Sequence, residues 1–126
     1  IGTNDSLPGR TRNPEVASGQ HADHFFVRRS YVEKYGACLD GPGVLAPECY
    51  RHFFVDKEIV ELAKALGVFT PCLTSVVEHH HPAYDGKPRD EVYATAIEHG
   101  AEDKALYEDR APLIEMQRTS LGKAAA

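Results

Sequence analysis

Three consecutive histidines form the stretch of sequence best suited to binding a metal ion. His79, His80 and His81 follow residues 68–78, which are rich in β-forming side chains and predict a strand. Because side chains alternate between the two faces of a strand, we expect His79 and His81 to share one face and His80 to point to the other. Two imidazoles on one face suit soft or borderline divalent ions, or contact with a phosphate. The alternative is an exposed polar turn ahead of Pro82.

Two carboxylates at the predicted start of a helix are candidates for general-base catalysis. Asp56 and Glu58 stand just before an apolar stripe. A carboxylate at the mouth of a cleft, held by backbone N–H groups, is well oriented to take a proton. In the structural alternative, Asp56 caps the helix and Glu58 complements the helix dipole. Both interpretations stay open at this point.

Two adjacent arginines follow the apolar run 25–27. Arg28 and Arg29 at such a junction can clamp a diphosphate or a carboxylate. We group His24 with them as a candidate substrate-binding residue. In the alternative interpretation the arginines are solvated or paired with an acid of the same helix, and His21 and His24 are ordinary surface residues.

The clearest element that must position these residues is an amphipathic helix that begins at Asp56 and ends at Gly67. Its apolar stripe has the helical spacing i, i+3, i+4 and i+7 and consists of Ile59, Leu62, Ala63 and Leu66. A shorter helix is predicted with Ser30 as N-cap, Glu33 completing a capping box and Gly36 ending the helix.

Further elements follow along the chain. Pro71 favours an edge or an early position in the strand. Asp90 can cap a third helix that ends at Gly100, and a fourth begins near residues 102–103 and is broken or kinked at Pro112. The order of short strand, helix, loop, helix, strand and two helices predicts an α/β fold with few strands and several helices. A complete doubly wound sheet is excluded by the small number of strands, and no glycine-rich phosphate loop is present.

Composition narrows the class of protein. The 126 residues suit one domain, which we place at residues 1–120, with a disordered tail at 121–126. A net charge of −5 without a basic run argues against nucleic acid as a partner, and no apolar run approaches a membrane span. Three cysteines without a CxxC pair favour a reducing, cytoplasmic location. The lack of an initiator Met suggests a processed or partial product.

Taken in order, these pieces resemble the C-terminal half of family 2-like glycosyltransferases of the GT-A fold, of phage and bacterial type. The resemblance spans roughly residues 21–82 and depends on an ordered set of short motifs rather than on any single one. The set consists of Phe25-Phe26-Val27-Arg28-Arg29-Ser30, Tyr35-Gly36, Asp56-Lys57-Glu58-Ile59, Leu66-Gly67 and Val76-Val77-Glu78-His79.

The resemblance implies roles for the candidate residues. Asp56 matches the catalytic base of inverting members, although the usual acidic residue before it is replaced by Val55. His79, with His81 as the close alternative, matches the ligand of Mn²⁺ or Mg²⁺ or of the diphosphate, which is the leaving group. Arg28 and Arg29 would line the phosphate or acceptor side.

The implied function is part of a metal-dependent transfer of a sugar from a nucleotide-sugar donor to a hydroxyl acceptor. The nucleotide-binding half of that fold, with its Asp-x-Asp metal motif, is not in this sequence, so we expect a missing N-terminal half or a partner chain. The expected location is the cytoplasm, that of the host if the gene is phage-encoded. Two alternatives stay open: a non-catalytic transferase-like module for binding or assembly, such as a phage structural component, and a small His-based metal-binding protein.

Overall fold

The computed structural model describes residues 1–6, 13–78 and 91–124. The elements in chain order are β1 (Gly2–Ser6), α1 (Pro14–Ala17), α2 (Arg29–Tyr35), α3 (Val55–Ala65), β2 (Pro71–Glu78), α4 (Glu91–Glu98) and α5 (Gly100–Ala124). The described ranges therefore form a mixed α/β structure with one small parallel sheet and five helices, which confirms the predicted class. The predicted metal ligands His79 and His81 and the predicted cap Asp90 lie outside these ranges.

The sheet consists of β1 and β2, which pair in parallel. A parallel pair requires a crossover connection, and the connection here contains α1, α2 and α3. The register shifts between Thr3, which faces Cys72, and Asn4, which faces Val76. At this irregularity the Asn4 Nδ2 donates a hydrogen bond of 2.9 Å to the carbonyl oxygen of Leu73.

The apolar run 25–27 reaches the sheet through a short antiparallel contact. Gly2 and Phe25 form an isolated bridge, and the Phe26 N–H donates to the Ile1 carbonyl at 2.8 Å. This segment is therefore extended where it passes β1, and α2 begins only at Arg29. The N-cap of α2 is Arg28, not Ser30, and Glu33 accepts from the Arg29 Nε at 2.8 Å.

Helix α3 begins two residues earlier than predicted, since the predicted N-cap is Asp56. Its N-cap is Phe54, which has a left-handed backbone with φ of 69°. The cap predicted at Asp56 is therefore wrong, and the Oδ1 of Asp56 accepts instead from the Lys57 N–H at 2.8 Å. The predicted end is confirmed, because α3 stops at Ala65 and Gly67 follows with φ of 69°.

Helix α5 is a single helix of 25 residues. It begins at Gly100, before the acids at 102–103, and continues through Pro112, so of the predicted break or kink at Pro112 the break is wrong. Its last turn occupies residues 121–124, where a disordered tail is predicted from the sequence. Among the described residues, no helix combines the length and the apolar character needed to cross a membrane.

The main apolar cluster packs α2 and the 37–46 loop against α3. Its buried centre is Ala37, Cys38 and Ile59, and the partly buried residues around it are Phe25, Val27, Tyr31, Val32, Val44, Ala46 and Val55. Val60 and Leu62 of α3 are also buried, at 1 % exposure each. The first turn of α3 carries two acids, the partly exposed Asp56 and the buried Glu58.

Candidate functional site

The site is a cluster of one imidazole and two carboxylates at the first turn of α3. The Nε2 of His21 lies 3.2 Å from the Oδ2 of Asp56 and 3.2 Å from the Oδ1 of Asp23. The potential ligand atoms of the three residues all lie within 4.8 Å of one another. The His21 side chain is 8 % exposed, whereas those of Asp23 and Asp56 are 23 % and 39 % exposed. A buried imidazole thus faces two carboxylates that solvent can reach.

Helix α1 and the turn after it place His21 against α3. The Asn13 side chain accepts from the Glu15 N–H at 3.0 Å, and Pro14 occupies the first turn, which is a favourable start for a helix. The N–H groups of Gln20 and His21 then both donate to the Glu15 carbonyl, at 2.7 and 3.0 Å. The chain therefore leaves α1 in a fixed turn that presents His21.

A contact from the far end of α3 holds the same turn. The Lys64 Nζ donates to the carbonyl oxygen of Gln20 at 3.0 Å. Since Lys64 and Asp56 belong to one helix, this contact and the His21–Asp56 contact attach the 20–23 segment to α3 at two points. The relative position of imidazole and carboxylates is thus set by tertiary packing.

The electrostatics of the site favour positive charge. Burial by itself would lower the pKa of His21, but the hydrogen bonds to Asp23 and Asp56 and the charges of these carboxylates raise it to about 9. At neutral pH the imidazole is therefore protonated and lies between two negative groups. A positive ion could fill the same role, and the three residues form a group that could hold a metal ion.

Glu58, the second predicted catalytic carboxylate, has a different environment. Its side chain is 0 % exposed, and it accepts from the Tyr50 hydroxyl at 2.8 Å, the Leu39 N–H at 3.1 Å and two nitrogens of Arg110 at 2.7 and 2.9 Å. Burial alone would raise the pKa of Glu58, but these hydrogen bonds outweigh it and lower the pKa. Glu58 has no exposed oxygen with which to receive a proton from a substrate, so Asp56 is the stronger candidate for a base.

The predicted substrate-binding residues occupy separate positions. Arg28 lines an open groove of about 760 Å³. The Arg29 side chain is 91 % exposed and pairs with Glu33 on its own helix, as the alternative interpretation expects. His24 lies in the segment beside β1, where its carbonyl accepts from the Thr3 N–H and hydroxyl at 3.0 Å each.

The groove is mainly aromatic and apolar, with cationic groups at its border. Its lining includes Phe26, Tyr31, Tyr35, Arg28 and Lys34, and Ile59 and Ala63 contribute from α3. The hydroxyl oxygen of Tyr31 is buried and has no hydrogen-bond partner among the described residues. This oxygen has no exposed surface, so Tyr31 presents its ring rather than its hydroxyl to the groove.

Asp56 lies near the groove along α3. It precedes Ile59 by three positions and Ala63 by seven, and residues with this spacing share one face of a helix. The Cβ atoms of residues three positions apart are about 5–6 Å from each other. The base candidate and the end of the groove are therefore about one helical turn apart.

His21 and Asp23 are the site residues that sequence reasoning missed, since the sequence favoured a surface position for His21. One signal was present, because a His-x-Asp spacing puts both side chains on the same face of an extended segment. Nothing in the local sequence indicated that this face would meet Asp56, which lies 35 residues from His21.

Comparisons of the chain with protein-family models, with curated proteins and with solved structures gave no significant match.

Proposed function

We propose that this chain is the acceptor-side part of a metal-dependent glycosyltransferase and that Asp56 is its general base. The observation that carries the proposal is the contrast between the two acids of α3: Asp56 is 39 % exposed and oriented, whereas Glu58 is buried and fully paired. The GT-A-like architecture, the nucleotide-sugar donor and the hydroxyl acceptor belong to this proposal. They derive from the ordered motifs between residues 21 and 82.

The contacts of Asp56 suit the role of a base. Its Oδ1 accepts from the Lys57 N–H and its Oδ2 lies beside the buried His21, so the carboxylate has one orientation. Each carboxylate oxygen has two lone-pair directions, which leaves room for a hydroxyl from the solvent side. An acceptor hydroxyl bound there would give its proton to Asp56 as its oxygen attacks the sugar carbon and the nucleoside diphosphate leaves.

The groove supports the proposal as the acceptor site. The aromatic rings of Phe26, Tyr31 and Tyr35 would cover the apolar faces of the acceptor. Arg28 is the predicted substrate-binding residue that fits this site best. The cofactor of the proposal is Mn²⁺ or Mg²⁺, and its predicted ligands His79 and His81 stay a prediction because they lie outside the described residues.

The test is the Asp56→Asn variant in the product of the complete gene, or with the nucleotide-binding half supplied. Release of nucleoside diphosphate from a panel of nucleotide sugars, with and without hydroxyl acceptors, measures the activity. We expect the variant to lose about 10²–10⁴-fold in rate, since an amide cannot take the proton. The matched control is Glu61→Gln on the same helix, which we expect to keep the activity.

Two results would contradict the proposal. Unchanged transfer by Asp56→Asn would exclude Asp56 as the base. A wild-type protein that neither transfers nor hydrolyses any of the nucleotide sugars would exclude the enzyme and favour the non-catalytic module.

A separate variant tests whether the groove binds the acceptor. Tyr35→Ala removes an aromatic ring that lines the groove from a side chain that is 40 % exposed, so we expect a higher KM for the acceptor with a nearly unchanged melting temperature. An unchanged KM would exclude Tyr35 from the acceptor site.

A further inference from the structure

We propose that His21, Asp23 and Asp56 form a binding site for one divalent transition-metal ion of the Zn²⁺ and Mn²⁺ class. The proposal uses none of the histidines at residues 79–81. It does not depend on the proposed transferase function, because cation binding is measured without any sugar substrate.

Two of the three distances between the ligand atoms match those around a coordinated ion. A cation with bonds of about 2.1 Å holds adjacent ligand atoms about 3.0 Å apart in octahedral geometry and about 3.4 Å apart in tetrahedral geometry. The Nε2 of His21 lies 3.2 Å from an oxygen of each carboxylate, which falls between these two values. Binding would therefore require small movements of side chains and the loss of the Nε2 proton of His21, which the cation displaces into solvent.

Without an ion, the Nε2 of His21 faces two carboxylates at once. The Nε2 of His21 carries at most one hydrogen, which can point straight at only one of the two carboxylates at a time. The two carboxylates also repel each other across a separation of less than 4.8 Å. A cation would interact with all three groups at once and would cancel this repulsion.

The burial of His21 is a second observation that points to a ligand. The side chain is more than nine-tenths buried and directs Nε2 at the point between the carboxylates, while its Nδ1 is buried without a partner among the described residues. The fold therefore holds Nε2 in the cluster between the two carboxylates.

The donor set selects the kind of cation. One imidazole and two carboxylates suit borderline ions, and the usual order of affinities places Zn²⁺ above Mn²⁺. Mg²⁺ prefers oxygen ligands and loses its water reluctantly, so it should bind most weakly. Because Asp23 and Asp56 are partly exposed, water can complete the coordination.

Occupancy would have a consequence for Asp56. The cation would take the Oδ2 that the proposed transferase uses to receive a proton, so Zn²⁺ would compete with catalysis. This consequence rests on the proposed function, whereas binding of the ion does not. Failure of Zn²⁺ to inhibit, with binding intact, would count against the transferase mechanism only.

The direct test is calorimetric titration of the 126-residue chain with Zn²⁺ at about pH 8. The background variant carries Gln at positions 79, 80 and 81, which removes binding by the histidine run. We expect one equivalent of Zn²⁺ to bind this background and Asp23→Asn to weaken the affinity at least about tenfold. The matched control is His99→Gln. His99 also pairs with a carboxylate, that of Glu102 at 2.9 Å, but this pair contains one carboxylate instead of two.

A second measurement locates the ion. Substoichiometric Mn²⁺ should broaden the imidazole NMR signals of His21 before those of His99 in the same background. If Asp23→Asn does not fold, as judged by its melting curve, Asp56→Asn replaces it. The proposal is overturned if the background variant binds no stoichiometric Zn²⁺, if the loss of the carboxylate leaves affinity unchanged, or if His99 broadens first.

Discussion

Arg110 of α5 binds the carboxylate of Glu58 of α3 through two parallel hydrogen bonds. Its Nε donates to Oε2 at 2.7 Å and its Nη2 donates to Oε1 at 2.9 Å, and Nη2 also donates to Asp40 at 2.9 Å. The Tyr50 hydroxyl and the Leu39 N–H complete the coordination of Glu58. This buried network joins the two longest helices to the loop that precedes α3.

Loss of the guanidinium should destabilise the fold strongly. Arg110→Met leaves the carboxylate of Glu58 buried with its charge uncompensated, and breaking a buried pair in this way costs about 3–5 kcal/mol in the free energy of unfolding. Urea denaturation followed by circular dichroism measures the change. The control is Arg118→Met, which removes an exposed partner of Glu115 and should leave the midpoint nearly unchanged. Equal midpoints for the two variants would show that the Glu58 network does not stabilise the protein.

Stability should fall in acid because two buried carboxylates have lowered pKa values. Burial would raise the pKa of Asp103, but the N–H groups of Arg51, His52 and Phe53 donate to it at 2.8, 2.9 and 2.8 Å and lower the pKa. The pKa of Glu58 is lowered by its own hydrogen bonds. Both carboxylates thus bind protons more weakly in the folded than in the unfolded chain.

The sign of the pH dependence follows from that difference. The stabilisation is fully present above the ordinary values of 3.8 for Asp103 and 4.5 for Glu58, and it is lost as the pH falls through the lower folded values. Free energies of unfolding measured from pH 6 to pH 2 should be level first and then decrease. In the Asp103→Asn variant the free energy of unfolding should decrease less steeply in acid. An equally steep decrease in that variant would show that Asp103 does not contribute to the pH dependence.

The side chains of the apolar stripe of α3 should contribute unequally to the free energy of unfolding. Leu62 is 1 % exposed, so Leu62→Ala should cost about 2–5 kcal/mol. Leu66 is only partly buried, and Leu66→Ala should cost less. Leu113→Ala on α5, where the side chain is 45 % exposed, is the control and should stay within about 0.5 kcal/mol of wild type. Thermal unfolding ranks the three variants, and a small effect at Leu62 would contradict the packing of α3.

Two glycines that end helices should respond differently to alanine. Both have a left-handed backbone, with φ of 78° at Gly36 and 69° at Gly67, and this alone costs alanine about 1–2 kcal/mol. A Cβ at Gly36 would also overlap the carbonyl oxygen of Gly41, whereas a Cβ at Gly67 meets nothing within 4 Å. We expect Gly36→Ala to lower the melting temperature more than Gly67→Ala. The reverse order would show that the 36–41 turn is looser than the structure indicates.

The sequence by itself determined the features that depend on neighbours along the chain. The spacing of Ile59 and Leu62 predicted α3, because apolar residues three and four apart share one face of a helix. Gly36 and Gly67 predicted two helix ends, since the left-handed backbone that follows a helix is easiest for glycine. Asp56 was also singled out from its place ahead of the apolar stripe. These inferences use interactions within about one helical turn.

Only the tertiary structure decided what the polar residues contact. His21 meets Asp56 across 35 positions and Glu58 meets Arg110 across 52, and no local pattern specifies such pairs. The N-cap at Phe54 could not be predicted from the sequence either, because the three N–H groups before it donate hydrogen bonds to Asp103, which lies on another helix. Two acids two positions apart on α3 therefore have opposite environments. Asp56 is partly exposed beside an imidazole, whereas Glu58 is buried and paired with a guanidinium. The physical reason is that burial, and with it the pKa and reactivity of a carboxylate, depends on which distant segments pack over it.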